Sequence, residues 1–261
     1  MVKNATSESL ETIPRPMVAL GNDYPANYEI APHRHGRAQL LYSGTGTMTV
    51  RTEHGAWVVP PEEGVWIPAG IQHSVGMIGQ LTTSSIYIDM AAVPDMPTTC
   101  QVLSISPLMR SLLQAAVNTS PEYEPQSRDG LIMALMLAEL RLLPVLPLSL
   151  PFPRHHKLAR RCRNFLEKPH LHQSIDDWAD TMAMSRRTFT RLFKRETGMS
   201  FAVWIRQACL FSALRRLAQG DSVTTIALDL GYDSPSAFTT MFKRVLGVPP
   251  SRYLAQPATK P

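Results

Sequence analysis

The sequence has only three cysteines in 261 residues, Cys100, Cys162 and Cys209, widely spaced and odd in number. They offer neither a disulfide framework nor a Cys-x-x-Cys metal motif, which fits a reducing cytoplasm. An apolar run long enough for a bilayer is also missing. The most hydrophobic stretch, Leu131 to Phe152, is interrupted by Glu139, Arg141 and several prolines. It falls short of the roughly 20 uninterrupted apolar residues a spanning helix needs. The opening segment, from Met1 to Pro16, has no apolar core of signal-peptide length, so the triplet Asn4-Ala5-Thr6 has no secretory context. The expectation is a cytoplasmic chain with no membrane partner.

Acidic residues are scarce in one half. From Arg154 onward there are 18 Lys and Arg against 8 Asp and Glu, whereas residues 1–153 hold 8 against 13. A basic half beside a mildly acidic one points to a polyanion partner for the basic half, although a merely solvated basic surface has the same composition. The length suits two domains, and a hydrophobic content of 44% suffices for ordinary packed cores.

Residues 17–93 read as short strands. The β-rich runs Gln39–Tyr42, Thr47–Val50 and Ala56–Val59 are separated by Gly and Pro punctuation, as in a small sandwich or barrel. Residues 107–118 and 127–143 read as helices. In the second, Leu131, Leu135, Ala138 and Leu142 recur at spacings of three and four, and Met133, Met136, Leu137, Leu140 and Leu143 extend the apolar surface to nearly every side. Such a helix is either deeply buried or shared with another subunit. Four prolines in ten residues, 144–153, forbid a continuing helix and suggest a semi-stiff interdomain linker.

Thereafter the chain reads as helical: about 155–168, from 174, 185–197, 201–219, 222–230, 234–246 and 250–255. This half repeats itself. Ser185 to Trp204 aligns with Ser234 to Tyr253 at an offset of 49, pairing Phe189 with Phe238, Phe193-Lys194-Arg195 with Phe242-Lys243-Arg244, and Gly198 with Gly247. Upstream, Ala179 pairs with Ala227 at an offset of 48, so the second turn is one residue longer. Each copy has a short helix with a small residue, a tight turn (Gly231 free to take positive φ), then a serine cap and a second helix. Phe189, Leu192 and Phe193 should be buried, as should Phe238, Met241 and Phe242. Arg187, Thr190 and Arg191 should face outward, which is the arrangement of a recognition helix for the major groove. Helical hairpins without a DNA role are the plainer alternative.

The stretch Ser185 to Gly198, then Ile226-Ala227, Gly231-Tyr232-Asp233-Ser234, Phe238, Phe242-Lys243-Arg244 and Gly247 to Tyr253, resembles the AraC/XylS DNA-binding domain. The resemblance implies double-stranded DNA as partner and two helix-turn-helix units, about 174–197 and 222–246, within a domain of residues 155–255. It places Arg187, Thr190 and Arg191 on bases, with Arg186 near the backbone and Lys194 at the helix end. In the second unit it implicates Pro235, Ser236, Thr239, Thr240 and Lys243. Thr240 departs from the basic or amide residue frequent among relatives. Since arginine reads guanine through two donors, the first helix is expected to carry most of the specificity.

In the N-terminal half, His33-Arg34-His35, Gln39 and Gly44, then Pro68 to His73, resemble the two cupin motifs. Gln39 stands where the family has a Glu ligand, and Met77 where the second motif ends in Asn. Three readings stay open: a divalent metal (Zn, Ni or Fe) on His33, His35 and His73, with or without Gln39; a metal-free effector pocket; or histidines that only satisfy hydrogen bonds.

The sequence thus leads to an α+β two-domain protein. Residues 1–143 form a cupin-like β-barrel sensor with associated helices, 144–154 a linker, 155–255 an all-α double helix-turn-helix domain, and 256–261 a tail. The expected function is a non-enzymatic, homodimeric transcription regulator, activator or repressor, that answers a small molecule or metal. RNA polymerase is a partner if it activates. The resemblance extends to regulators that tend to control a neighbouring transporter gene. The alternatives are a ligand-independent DNA binder whose cupin only dimerises and, more remotely, a cupin enzyme.

Overall fold

The computed structural model describes residues 10–253. The expected tail, 256–261, and the last two residues of the expected DNA-binding domain lie outside them. The chain divides into two compact units. One takes the chain up to Thr52 and then Val59–Pro147; the other takes Glu53–Val58 and the chain from Leu148 on.

The first unit is built on antiparallel strands. β1 (Met17–Tyr24), β8 (Leu81–Ile88), β3 (Ala38–Ser43), β6 (Glu63–Ile67), β9 (Gln101–Ser104) and β10 (Val145–Leu146) form one sheet in that spatial order. β2 (Glu29–His33), β7 (His73–Ile78) and β4 (Thr47–Thr52) pair in a second. This is the cupin-like architecture expected from the motifs. Successive side chains point to opposite faces, and the inner strands β3 and β6 are buried on both. Leu40, Tyr42, Trp66, Ile86, Ile88 and Leu103 pack against helices α1 (Pro107–Ala116) and α2 (Arg128–Leu140) through Met109, Leu113, Met133, Met136 and Leu140. The residues between them in sequence, Gln39, Leu41, Ser85 and Tyr87 among them, take the other face.

Helix α2 stops at Leu140, three residues before the expected end, because Leu143 precedes Pro144 and a proline disfavours helical backbone in the residue ahead of it. Its apolar surface splits. Met133, Met136 and Leu140 are buried, while Leu131, Leu135 and Leu142 stay exposed at 61%, 43% and 73%.

The proline-rich segment is not a free linker. Val145 and Leu146 pair with Leu103 and Val102 on β9. Ser149–Pro151 forms β11, antiparallel to β5 (Gly55–Val59). Proline is tolerated here because these are short strand ends.

The second unit follows the helical expectation closely: α3 (His156–Phe165), α4 (Ile175–Thr181), α5 (Arg186–Thr197), α6 (Phe201–Ala218), α7 (Val223–Asp229) and α8 (Pro235–Leu246). Ser174, Ser185, Ser200, Ser222 and Ser234 each cap the helix that follows. The three cysteines are buried, and burial pushes each thiol up to about 12, so none behaves as a ligand or nucleophile at neutral pH.

Candidate DNA interface and histidine site

The repeat forms two helix-turn-helix units, α4–α5 and α7–α8. In both, the second helix ends on a glycine in the left-handed region, Gly198 at φ 71° and Gly247 at φ 75°. The turns differ. Gly231 carries φ 84° in the second unit, as expected, with the His170 imidazole where a Cβ would stand. In the first the same left-handed role falls to Ala183 at φ 53°, a non-glycine that pattern reading passes over. Phe189, Leu192, Phe193, Phe238 and Phe242 are buried as expected, but Met241 is only half-buried. The first unit has the richer core: Trp178 packs edge-on against Phe165, Phe201 and Trp204.

Arg187, Thr190, Arg191 and Lys194 are all exposed on α5. Arg186 is exposed and pairs with Asp176 at 3.2 Å. The Thr190 hydroxyl donates to the Arg186 carbonyl at 2.8 Å, which leaves its methyl outward. On α8, Ser236, Thr240 and Lys243 are exposed, while Pro235 and Thr239 are half-buried. The polar outer face of α5 is therefore a guanidinium surface and that of α8 a hydroxyl and methyl surface.

In the first unit the structure brings together His33, His35, Gln39 and His73. His33, at the end of β2, is the cross-strand partner of His73, at the start of β7, and their ring centroids lie 4.3 Å apart. A register shift between Ile30 and His33 sets that alignment. The turn before His73 is held by the Gly70 N–H, which donates to the His35 carbonyl at 2.9 Å. The nitrogen atoms available as ligands in the three histidines all lie within 4.8 Å of one another.

Hydrogen bonds orient the three rings. Nδ1 of His33 bonds the Ala31 carbonyl at 2.9 Å, Nδ1 of His35 that of Arg37 at 2.6 Å, and Nδ1 of His73 that of Ile71 at 2.9 Å. A carbonyl only accepts, so in each bond Nδ1 is the donor. Nε2 of His73 is buried with no hydrogen-bond partner. Burial, reinforced by the neighbouring imidazoles, holds His73 down at about 4, although its bond to Ile71 opposes this. It is neutral at neutral pH.

Sequence reading did not foresee how Gln39 is held. Its amide nitrogen donates to the Ser85 hydroxyl at 3.1 Å and the Tyr87 hydroxyl at 3.2 Å. Its Oε1 then faces Nε2 of His35 at 3.1 Å. Period-two spacing places Ser85 and Tyr87 on one face of a strand; only the register of β8 against β3 brings them to Gln39.

Residues 178–256 match a helix-turn-helix domain family, and residues 15–140 match the AraC-like ligand binding domain. The chain is 38% identical over 229 residues to the HTH-type transcriptional regulator NimR of Escherichia coli (strain K12), covering 87% of this chain and 83% of that one. It is 29% identical over 149 residues to the HTH-type transcriptional regulator ExsA of Pseudomonas aeruginosa, 54% of each chain. Among solved structures, fatty-acid-bound ToxT from Vibrio cholerae is similar over 91% of this chain at 12% identity, with a TM-score of 0.38.

Proposed function

The chain belongs to the AraC family of transcriptional regulators, and from that premise we propose that it senses a divalent metal through His33, His35 and His73 and reports it to DNA. It is a DNA-binding regulator with a ligand-binding domain, not an enzyme. The proposal concerns the ligand. One observation carries it: three imidazoles each bond a backbone carbonyl through Nδ1, and one ligand nitrogen from each lies within 4.8 Å of those of the other two. That pattern is the usual outer-shell support of metal-bound histidine.

The donor set fits the group. Oε1 of Gln39 lies 3.1 Å from Nε2 of His35, which puts an amide oxygen beside the imidazoles. Nε2 of His73 is buried without a hydrogen-bond partner, and a bound cation would satisfy it. Three neutral imidazoles and an amide oxygen suit Zn²⁺, Ni²⁺ or Fe²⁺. The bound ion would supply a Lewis-acidic centre to which an effector's donor atom can attach. Elemental analysis of purified, untagged protein beside a His33→Ala/His35→Ala variant tests the reading. About one metal per chain, lost in the variant, supports it. No metal after incubation with all three ions overturns it and favours an organic effector at the same residues.

The exposed stripe of α2 supports a second reading. Leu131 and Leu135 stand exposed one turn apart on the helix, and Leu142 is exposed just past its end. A second copy of the chain covers them in a homodimer, whose two DNA-binding units then engage two half-sites. If it activates, RNA polymerase is the further partner, and a neighbouring transporter gene the target. No helix among the described residues is long and apolar enough to cross a membrane, in keeping with work in the cytoplasm where the operator lies.

A further inference from the structure

The recognition helices leave one strongly charged surface without a role. Helix α3 is amphipathic: Leu158, Ala159, Cys162 and Phe165 are buried on one side. The other side exposes Lys157, Arg160 and Arg163, with Arg154 just before the helix and Lys168 just after. Among the described residues, no carboxylate lies within ion-pair distance of any of these five. Glu167, past the helix end, is the single acid on the segment from Arg154 to Lys168.

This face works against the helix that bears it. Lys157, Arg160 and Arg163 are spaced at i, i+3 and i+6, so like charges are neighbours and repel. Lys157 also stands in the first turn, where the helix dipole disfavours a cation and the helix itself supplies no acid. A stripe of this kind gains when an extended polyanion lies along it.

The mounting of α3 says which polyanion. Glu196, near the end of the first recognition helix, accepts from the backbone N–H of Arg154 at 3.1 Å and of His155 at 3.2 Å. The Arg161 guanidinium lies 4.6 Å from the Trp178 ring centroid of α4, and Phe165 packs on the same ring. The basic face is therefore fixed to the first helix-turn-helix unit. Its start adjoins the end of α5, where Lys194 and Arg195 continue the positive surface from Arg191.

We infer that the outer face of α3 is a third DNA-contacting surface, binding the phosphate backbone beside the first recognition helix irrespective of base sequence. It rests on the DNA-binding function of this unit and adds to the two helix-turn-helix contacts. Each phosphate neutralised releases condensed counterions, so log K falls with log salt by about 0.9 per contact.

The test uses the full chain and two duplexes, one of mixed sequence and one promoter duplex recovered by in vitro selection. Affinity is measured by fluorescence anisotropy across a KCl series for the wild type and for Lys157→Gln/Arg160→Gln. The expected result is similar weakening on both duplexes and a salt slope shallower by about 1 to 2. The double variant is read only if its melting temperature matches the wild type; otherwise Arg160→Gln alone is used, with an expected slope change near 1. Unchanged affinity and slope on both duplexes overturn the inference. So does unchanged DNA binding with loss of transcription activation, which would assign the face to an acidic protein surface. Failure of the wild type to bind either duplex would instead count against the regulator function itself.

Discussion

Oε1 of Gln39 lies 3.1 Å from Nε2 of His35, within hydrogen-bond distance. The amide nitrogen of Gln39 is engaged by Ser85 and Tyr87, and Nδ1 of His35 by Arg37. Both side chains are thus held from their far ends, at the site proposed above for a divalent metal.

Replacing Gln39 with Ala should therefore weaken metal binding by about 10- to 100-fold, while His33→Ala/His35→Ala should abolish stoichiometric binding. Competition with a chromophoric chelator measures both. Equal affinity in Gln39→Ala and wild type would remove the amide from the site. Saturating metal at about 100 times Kd should add about 2.7 kcal/mol to stability and raise the melting temperature of wild type alone.

Arg191→Ala should cost about 1 to 3 kcal/mol on a selected promoter duplex and relax one base position, with little change on scrambled DNA. Thr190→Val should be nearly silent, because the Thr190 hydroxyl is already spent on the Arg186 carbonyl. A uniform loss for Arg191→Ala on both duplexes would make it a phosphate contact.

Glu63 gives the fold a pH dependence of its own. Burial pushes its carboxyl up to about 7, despite the Ile105 N–H, Ser104 and Arg110, which favour the charged form. The folded state thus holds a proton that the unfolded chain has released above about 4.5. The stability this contributes is fully present below that pH and is lost as pH rises through 7. Glu63→Gln keeps an acceptor for Ile105 and should be more stable than wild type at pH 8 by about 1 to 3 kcal/mol, allowing for partial solvent screening. Near pH 4.5 the gap should close. Urea melts at the two values check this, and a gap independent of pH would refute it.

Leu131→Glu/Leu135→Glu should halve the mass seen by sedimentation if the α2 stripe is the dimer contact. Both side chains are exposed, so stability of the folded chain should move by no more than about 0.5 kcal/mol per site apart from the lost association.

Gly231→Ala should destabilise the second helix-turn-helix unit by at least about 1 to 3 kcal/mol through its φ of 84° alone. The His170 ring, 2.6 Å from the added Cβ, increases the cost. His170→Ala in the same background should recover only the steric part, as thermal melts would show.

The helical half was legible in the sequence because its determinants are local. Serine caps, left-handed glycines after α5 and α8, and the spacing of Phe189 and Phe193 act within a few residues of one another. The repeat at offset 49 shows each of them twice. Pairings with distant residues were not legible in this way. The four prolines of 144–153 suggested a semi-stiff interdomain linker, and the two units do meet at Pro147 and Leu148, but the β-ladder partners at Val102, Leu103, Ala56 and Trp57 lie tens of residues away and were not legible.

By itself, the sequence determined that two recognition helices exist, which side chains they expose, and that His33, His35 and His73 are candidates to act together. The tertiary structure decided the rest. Through the register of β2 against β7 and of β3 against β8, it brought the three imidazoles together and held Gln39 between Ser85, Tyr87 and His35. It split the apolar surface of α2 into a buried face and a free one, and it mounted the cations of α3 beside α5. These are pairings between distant residues, set by packing and strand register, and no periodicity along the chain encodes them.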